Sequence, residues 1–415
     1  MAAGRTPAPT FAAPPRRAKI FVFLAIVFGA ELSAWLALAG IPLGLQGRAD
    51  FRNLYSAASM VRSGNADRIY DLESQARSQN SLVSPRPTPM PYLRLAYEAL
   101  GFVPLSFLPY KQAYIAFLIL NLLLLALLPF WIRTELAWLQ GIPGVLRPLL
   151  FLLFPPLAFS ILQGQDSVLF LVLLVFAFLL LRRGQEGRAG LLLGVGVCKL
   201  PLLAPLVLLF ALWRRWRFVM GLSLTAALCI GLSAWLVGAT EFAAYVRMLA
   251  QIKSVATVPE LEQYPYPALV AAMPSLRGLL FVLLHARISA SALALAYGVP
   301  AALALAAVAC WNREARASSS LLLVAITASC LLSYYIFLHD LSVLALPVGV
   351  AAGGLRESVP AGRWTRGIAG GVILAAGLAV VAPSFLFLLP IPIAAFLGSL
   401  SRAVGEKQEA PDFPN

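Results

Sequence analysis

Charge is what this chain has least of. Only 12% of its 415 residues are Asp, Glu, Lys or Arg, about half the share found in soluble domains. No polar stretch is long enough to form a separate domain for ATP or a nucleotide sugar. There are two histidines and four cysteines. Cys198, Cys229, Cys310 and Cys330 all fall inside apolar runs, so no paired extracellular framework is visible and no disulfide is expected. A free buried cysteine behaves as a small hydrophobe. No Asp-x-Asp pair marks a metal site, and neither a metal nor an organic cofactor is expected. No internal repeat is evident, so the inverted-repeat signature of many transporters is missing.

What is present is hydrocarbon. Hydrophobic residues make up 60% of the chain and the mean hydropathy is +0.83. Apolar runs of roughly 17–25 residues recur along the whole length, the length a helix needs to cross a bilayer. The fold class is therefore all-α and polytopic in a membrane. Net charge is +14, gathered into short clusters between runs: "RRAK" (16–19), "RRGQEGR" (182–188), "WRRWR" (213–217), "WNREAR" (311–316) and "GRWTRG" (362–367). The positive-inside rule places them in the cytoplasm. They are too short and too separated to read as a nucleic-acid surface, and no nucleic-acid partner is expected.

The N-terminal run has the basic start of a signal peptide, but at 20–44 it exceeds the usual apolar stretch of about 7–15 residues. It reads as a retained first span. An outer segment over 45–109 follows, then spans at 110–132, 147–162 and 166–181. "AGLLLGVGVCKLPLLAPLVLLFALWRRWR" (189–217) has basic clusters at both sides and is too short for two full spans. It reads as two half-helices broken at "CKLP", where Pro201 interrupts the helix. A span at 217–237, a second outer segment at 238–290 and spans at 291–311, 317–338, 340–355, 367–383 and 385–402 complete a count of about twelve membrane segments. That makes one transmembrane unit over 20–402, with both termini cytoplasmic and disordered tails at 1–19 and 403–415.

This topology brings Asp50, Gln163 to Asp166, Lys199, Arg277 and the pair His339–Asp340 to the outer side. Asp50 opens a short amphipathic segment with Phe51, Leu54, Tyr55, Ala58 and Val61 on one face and Arg52, Asn53, Ser56 and Ser59 on the other. The pattern predicts a helix lying in the membrane interface, with Asp50 as its N-cap. Capping and a catalytic role are compatible. His339–Asp340 is an ionisable pair at a span boundary, a candidate functional site or a solvated turn. His285 lies in an ordinary interfacial context. "LQGQD" (162–166) reads first as a plain polar turn. Lys199 between half-helices requires an anion or a route to water. Glu31, inside the first span, requires a partner or a proton.

Four stretches together resemble glycosyltransferase family 87, polyprenyl-phosphate-mannose-dependent mannosyltransferases of the GT-C type: "ADFRNLYSAASMVRSGNADRIYD", "PPLAFSILQGQDSVLFLVLL", "RRGQEGRAGLLLGVGVCKLPLLAPLVLLFALWRRWR" and "YYIFLHDLSVLALP". The resemblance covers most of the chain. It implies a GT-C-like bundle, a bacterial-type inner (plasma) membrane location with an outer-face site, a sugar donor carried on polyprenyl phosphate, and a lipid or glycan acceptor. Asp50 matches the catalytic acid in the first outer loop, and His339 resembles a histidine that completes the site from the C-terminal half. Lys199, Arg277 and Arg94 are the candidate cations for the donor phosphate, although the family's Lys-Pro pair reads "KLP" here. Tyr55, Gln163, Gln165 and Asp340 would line the site. A transporter or flippase for lipid-linked sugars, and a non-catalytic member of the family, are the alternatives.

Overall fold

The computed structural model describes residues 16–86, 89–136, 139, 142–144, 147–251, 266–284, 290–315, 317–353 and 363–405. His285, most of both expected tails and part of the second outer segment lie outside these. The first helix starts at Arg16 and the last runs to Gly405. Among the described residues the chain is helical with no strand.

Among the described residues six helical stretches are long and apolar enough to cross a membrane, and four more apolar helices are shorter. The expected count of about twelve is not reproduced. Proline explains one difference: the run at 147–162 is split into Arg147–Leu152 and Pro155–Gln163, because Pro155 and Pro156 start a new helix and cannot continue the old one.

By length and composition Glu186–Leu212 is one of the six stretches, yet its two ends meet. Arg215 Nη1 lies 3.4 Å from Glu186 Oε1, whereas a straight helix of this length would hold them about 40 Å apart. The chain bends through the tight helical turn Val195–Lys199, where Gly196 has ψ 15° and Lys199 has ψ 42°, just before Pro201. The following helix, Trp216–Val237, packs against the ascending arm. A Cβ on Gly190 would come within 2.1 Å of the Phe218 carbonyl oxygen, and one on Gly194 within 2.5 Å of that of Leu222. The paired numbers rise together, so these helices run side by side in one direction, at a closeness only small residues permit.

The bundle therefore has two distinct ends. At one, Arg182 pairs with Glu135 at 2.8 Å, Glu186 meets Arg215 and Ser318, and Arg215 Nη2 donates to the Ala315 carbonyl. The other end carries the turn at Lys199 and the segment 45–109, joined where Tyr97 meets the Val195 carbonyl and the Cys198 N–H.

In that segment the helix Phe51–Arg62 differs from its expected interfacial placement. Its apolar face is buried as expected, with Phe51 stacked on Phe117 at 5.3 Å and packed near Phe102, Tyr110 and Tyr114. Its polar face is buried too. Arg52 is fully enclosed and donates to Gln79 Oε1 (3.0 Å), Ser84 Oγ (2.9 Å), Asn80 Oδ1 (3.1 Å) and the Ser84 carbonyl (2.7 Å). The helix Leu72–Leu82 supplies the polar complement that water was expected to supply.

Gly164 decides how closely the turn at 162–166 approaches this helix. It ends Pro155–Gln163 in the left-handed region at φ +61°, and a Cβ there would lie 2.5 Å from Phe51 Cβ. Gly164→Ala is expected to destabilise the protein by about 1–2 kcal/mol through left-handed strain alone, with the steric conflict added. Thermal unfolding in detergent reads this. A parental melting curve would mean that the turn and the Phe51 helix part without cost.

Candidate active site

Asp50 occupies the N-cap position of Phe51–Arg62, but its side chain makes no cap hydrogen bond. The capping expectation is therefore corrected. The backbone at Asp50 is already right-handed helical (φ −62°, ψ −20°), unlike the extended conformation of most capping residues. The carboxylate turns instead to the 162–166 turn, where Gln165 Nε2 donates to its Oδ2. The Asp50 backbone N–H donates to Gln163 Oε1 at 3.3 Å. The plain-turn reading of "LQGQD" is likewise replaced: both glutamines seat Asp50, and Gly164 lets them approach.

From Gln165 a line of polar contacts runs across the bundle end. Gln165 Oε1 accepts from Arg94 Nη2. Arg94 Nη1 lies 2.6 Å from Glu98 Oε1 and 2.7 Å from Asp166 Oδ1. Lys199 Nζ lies 2.8 Å from Asp166 Oδ1, 2.8 Å from Asp340 Oδ1 and 3.3 Å from Ser167 Oγ. His339 Nε2 lies 3.3 Å from Asp340 Oδ2, which also accepts from the Phe337 N–H at 3.1 Å. Four chain regions contribute: the loop before Ala96–Phe102 brings Arg94, the start of Ser167–Arg182 brings Asp166 and Ser167, the bend at 195–199 brings Lys199, and the tight turn Leu338–Leu344 brings His339 and Asp340.

Burial raises the cost of every charge here, so the pairing sets protonation. Arg94 and Lys199 both meet Asp166 Oδ1, at 2.7 and 2.8 Å, and offset the cost of burying its carboxylate. Burial pushes the Glu98 carboxyl up to about 8 against the pull of Arg94, and the Asp166 charge adds to the rise. Asp166 and Asp340 sit in ion pairs, whereas among the described residues Asp50 has none.

Ligand atoms of Glu98, Asp166 and Cys198 lie within 4.8 Å of one another, a spacing that a metal ion requires. The chemistry does not fit one. Both Arg94 and Lys199 sit on the same Asp166 oxygen, at 2.7 and 2.8 Å, and would repel a divalent cation brought to it.

Two expected site residues lie apart from this line. Tyr55 donates its hydroxyl to the Leu108 carbonyl at 2.8 Å and packs edge-on against Tyr110. Arg277 lies over the Tyr334 ring, with Cζ 3.7 Å from its centroid, and donates to the Tyr334 carbonyl at 2.8 Å. Sequence reasoning missed Glu98 and Ser167. The Arg94–Glu98 spacing of four residues in "LRLAYEALGF" was the available signal, since such residues meet on a helix face.

No curated protein and no solved structure matches the chain. The sequence profile of glycosyltransferase family 87 does, over residues 98–333. The matched part holds Glu98, Gln165, Asp166, Lys199 and Arg277, and the contacts above join Asp50, Arg94 and Asp340 to it from either side. With more than half of its length matched, the chain belongs to glycosyltransferase family 87 and is a multi-pass membrane glycosyltransferase.

Proposed function

We propose that the protein transfers a hexose, mannose on the family resemblance, from a polyprenyl-phosphate sugar to a lipid or glycan acceptor on the outer face of a bacterial-type inner membrane. The observation that supports this best is the state of the three carboxylates. Asp166 and Asp340 are each paired with a cation, while among the described residues Asp50 is held by the neutral Gln165 amide and has no ion-pair partner. A general base requires an accessible lone pair with no permanent cation on it.

In the reaction, the acceptor hydroxyl gives its proton to Asp50 as its oxygen bonds to the anomeric carbon. The bond from that carbon to the phosphate oxygen breaks, its electron pair leaves with polyprenyl phosphate, and configuration inverts. The leaving group is already anionic, so it needs a cation more than an acid. Lys199 directs its three N–H groups at Asp166, Asp340 and Ser167 and serves the scaffold. Arg277, the other expected cation, is taken as the phosphate cation; it lies outside the Asp166–Lys199–Asp340 ion pairs, over the Tyr334 ring. His339, facing Asp340 through Nε2, keeps Nδ1 for a sugar or acceptor hydroxyl.

Purified protein given synthetic polyprenyl-phosphate mannose and a lipid extract is expected to release polyprenyl phosphate and add one hexose to an acceptor, read by mass spectrometry. Intact donor crossing a proteoliposome without bond cleavage would replace this reading with a lipid-linked-sugar transporter. Neither event would mark a non-catalytic member.

The sidedness has its own test. A cysteine at exposed Asn65 is expected to react with an impermeant thiol reagent from outside the cell, and one at exposed Arg188 is not. Reversed labelling would put the carboxylates on the cytoplasmic side and end the lipid-donor reading.

A further inference from the structure

The contact between Asp50 and Gln165 raises a question of direction. A glutamine amide presents an oxygen and an NH2 group of nearly equal shape, and either end can turn toward a neighbour. Here the choice is forced. Arg94 has only donors, and its Nη2 meets the Gln165 side chain. The amide oxygen must therefore face Arg94, and the NH2 must face Asp50, where it donates to Oδ2. Arg94 in turn cannot rotate away, because Nη1 is held by Glu98 at 2.6 Å and Asp166 at 2.7 Å. Gln165 and Asp166 are buried, and the Arg94 side chain is 14% exposed.

We propose that Arg94 and Gln165 are positioning residues for the Asp50 base: Arg94 fixes the polarity of the Gln165 amide, and the amide holds Asp50 Oδ2 so that Oδ1 faces the acceptor hydroxyl. This rests on the reading of Asp50 as the base. It reassigns Arg94, whose guanidinium is committed to Gln165, Glu98 and Asp166, away from the donor phosphate. The device supplies orientation without charge. A cation placed directly on Asp50 would also orient it but would depress its basicity, whereas an amide donor held by a remote cation has a far smaller effect. Among the described residues the ionisable group that the contacts tie to Asp50 is Arg94, reached through Gln165, with Glu98 and Asp166 beyond it.

The test uses the full-length protein and synthetic polyprenyl-phosphate mannose. Gln165→Met keeps length and removes the amide. Its kcat is expected to fall roughly tenfold to a hundredfold, the cost of a misdirected catalytic group, with KM for the donor within about twofold of the parent. Gln165→Glu keeps the acceptor for Arg94 but puts a carboxylate against Asp50. That negative charge favours the protonated base, so the acid limb of the kcat–pH profile is expected to move to higher pH, a shift that loss of packing would not produce. Arg94→Lys keeps the charge but not the planar fork, and its loss is also expected in kcat. Parental kcat for Gln165→Met, an unmoved acid limb for Gln165→Glu, or a loss confined to donor KM in Arg94→Lys would each overturn the assignment. Asp50→Asn, measured alongside, separates the two levels. If it is inactive while the Gln165 variants are parental, only the positioning role fails. If it is active, the base reading fails and takes this inference with it.

Discussion

Asp50→Asn is expected to reduce transfer by about a hundredfold or more while leaving folding and donor binding at parental levels. The structure makes this substitution cleaner than a capping aspartate would. No cap hydrogen bond is lost, because none is made. No ion pair is lost, because among the described residues Asp50 has none. Gln165 Nε2 still finds an oxygen to donate to, so the 162–166 turn has no reason to move. What disappears is the ability to take a proton. Melting temperature and donor affinity should therefore stay close to the parent, and the loss should fall on the chemical step in single-turnover transfer at saturating donor. Asp50→Glu is the informative companion: it restores a base but displaces it by about one methylene, and errors of that size are costly when attack requires near-contact geometry. A stable Asp50→Asn protein with near-parental transfer would sink the assignment, and His339 would become the leading base.

The sequence made some of this site legible and hid the rest for identifiable reasons. Asp50 stood out because a carboxylate just past an apolar run is costly without a purpose. Pro201 and the flanking basic clusters pointed to the bend at Lys199 through local chain chemistry alone. By contrast, Gln165 and Asp50 are 115 residues apart in sequence, and periodicity carries no information on pairing at that range. The "LQGQD" turn therefore looked like any polar turn. Lys199 was read as requiring an anion or a route to water without naming its partners, because Asp166 and Asp340 lie 33 and 141 residues away in sequence. The Phe51–Arg62 helix shows a subtler limit. Its two faces were distinguished by period, but polar was equated with wet, and Arg52 is instead buried against Gln79, Asn80 and Ser84. Here the polar face is met by another polar segment and not by water.

Lys199→Met should therefore impair the fold far more than the donor. The Lys199 side chain is 9% exposed and lies between Asp166 (5%) and Asp340 (11%), 2.8 Å from each. Methionine fills similar space without strain but leaves both carboxylates short of a cation. Asp166 retains Arg94, and Asp340 retains only His339 and the Phe337 N–H. Breaking a buried pair from one side costs about 3–5 kcal/mol, because the stranded charge keeps its desolvation penalty without its partner. Adding Asp340→Asn to Lys199→Met removes the worse-stranded charge, so the double variant is expected to melt above Lys199→Met alone, although it carries one more substitution. That ordering distinguishes a scaffold lysine from a ligand-binding one. If Lys199 instead held the donor phosphate, Lys199→Met would melt near the parent, and its defect would appear as a roughly tenfold to hundredfold loss of donor affinity, the value of one charge-assisted contact. Unfolding curves recorded without donor, beside donor titrations of the same samples, separate the two: early melting relieved by Asp340→Asn supports the ion-pair scaffold, and parental melting with weakened donor binding returns Lys199 to the phosphate.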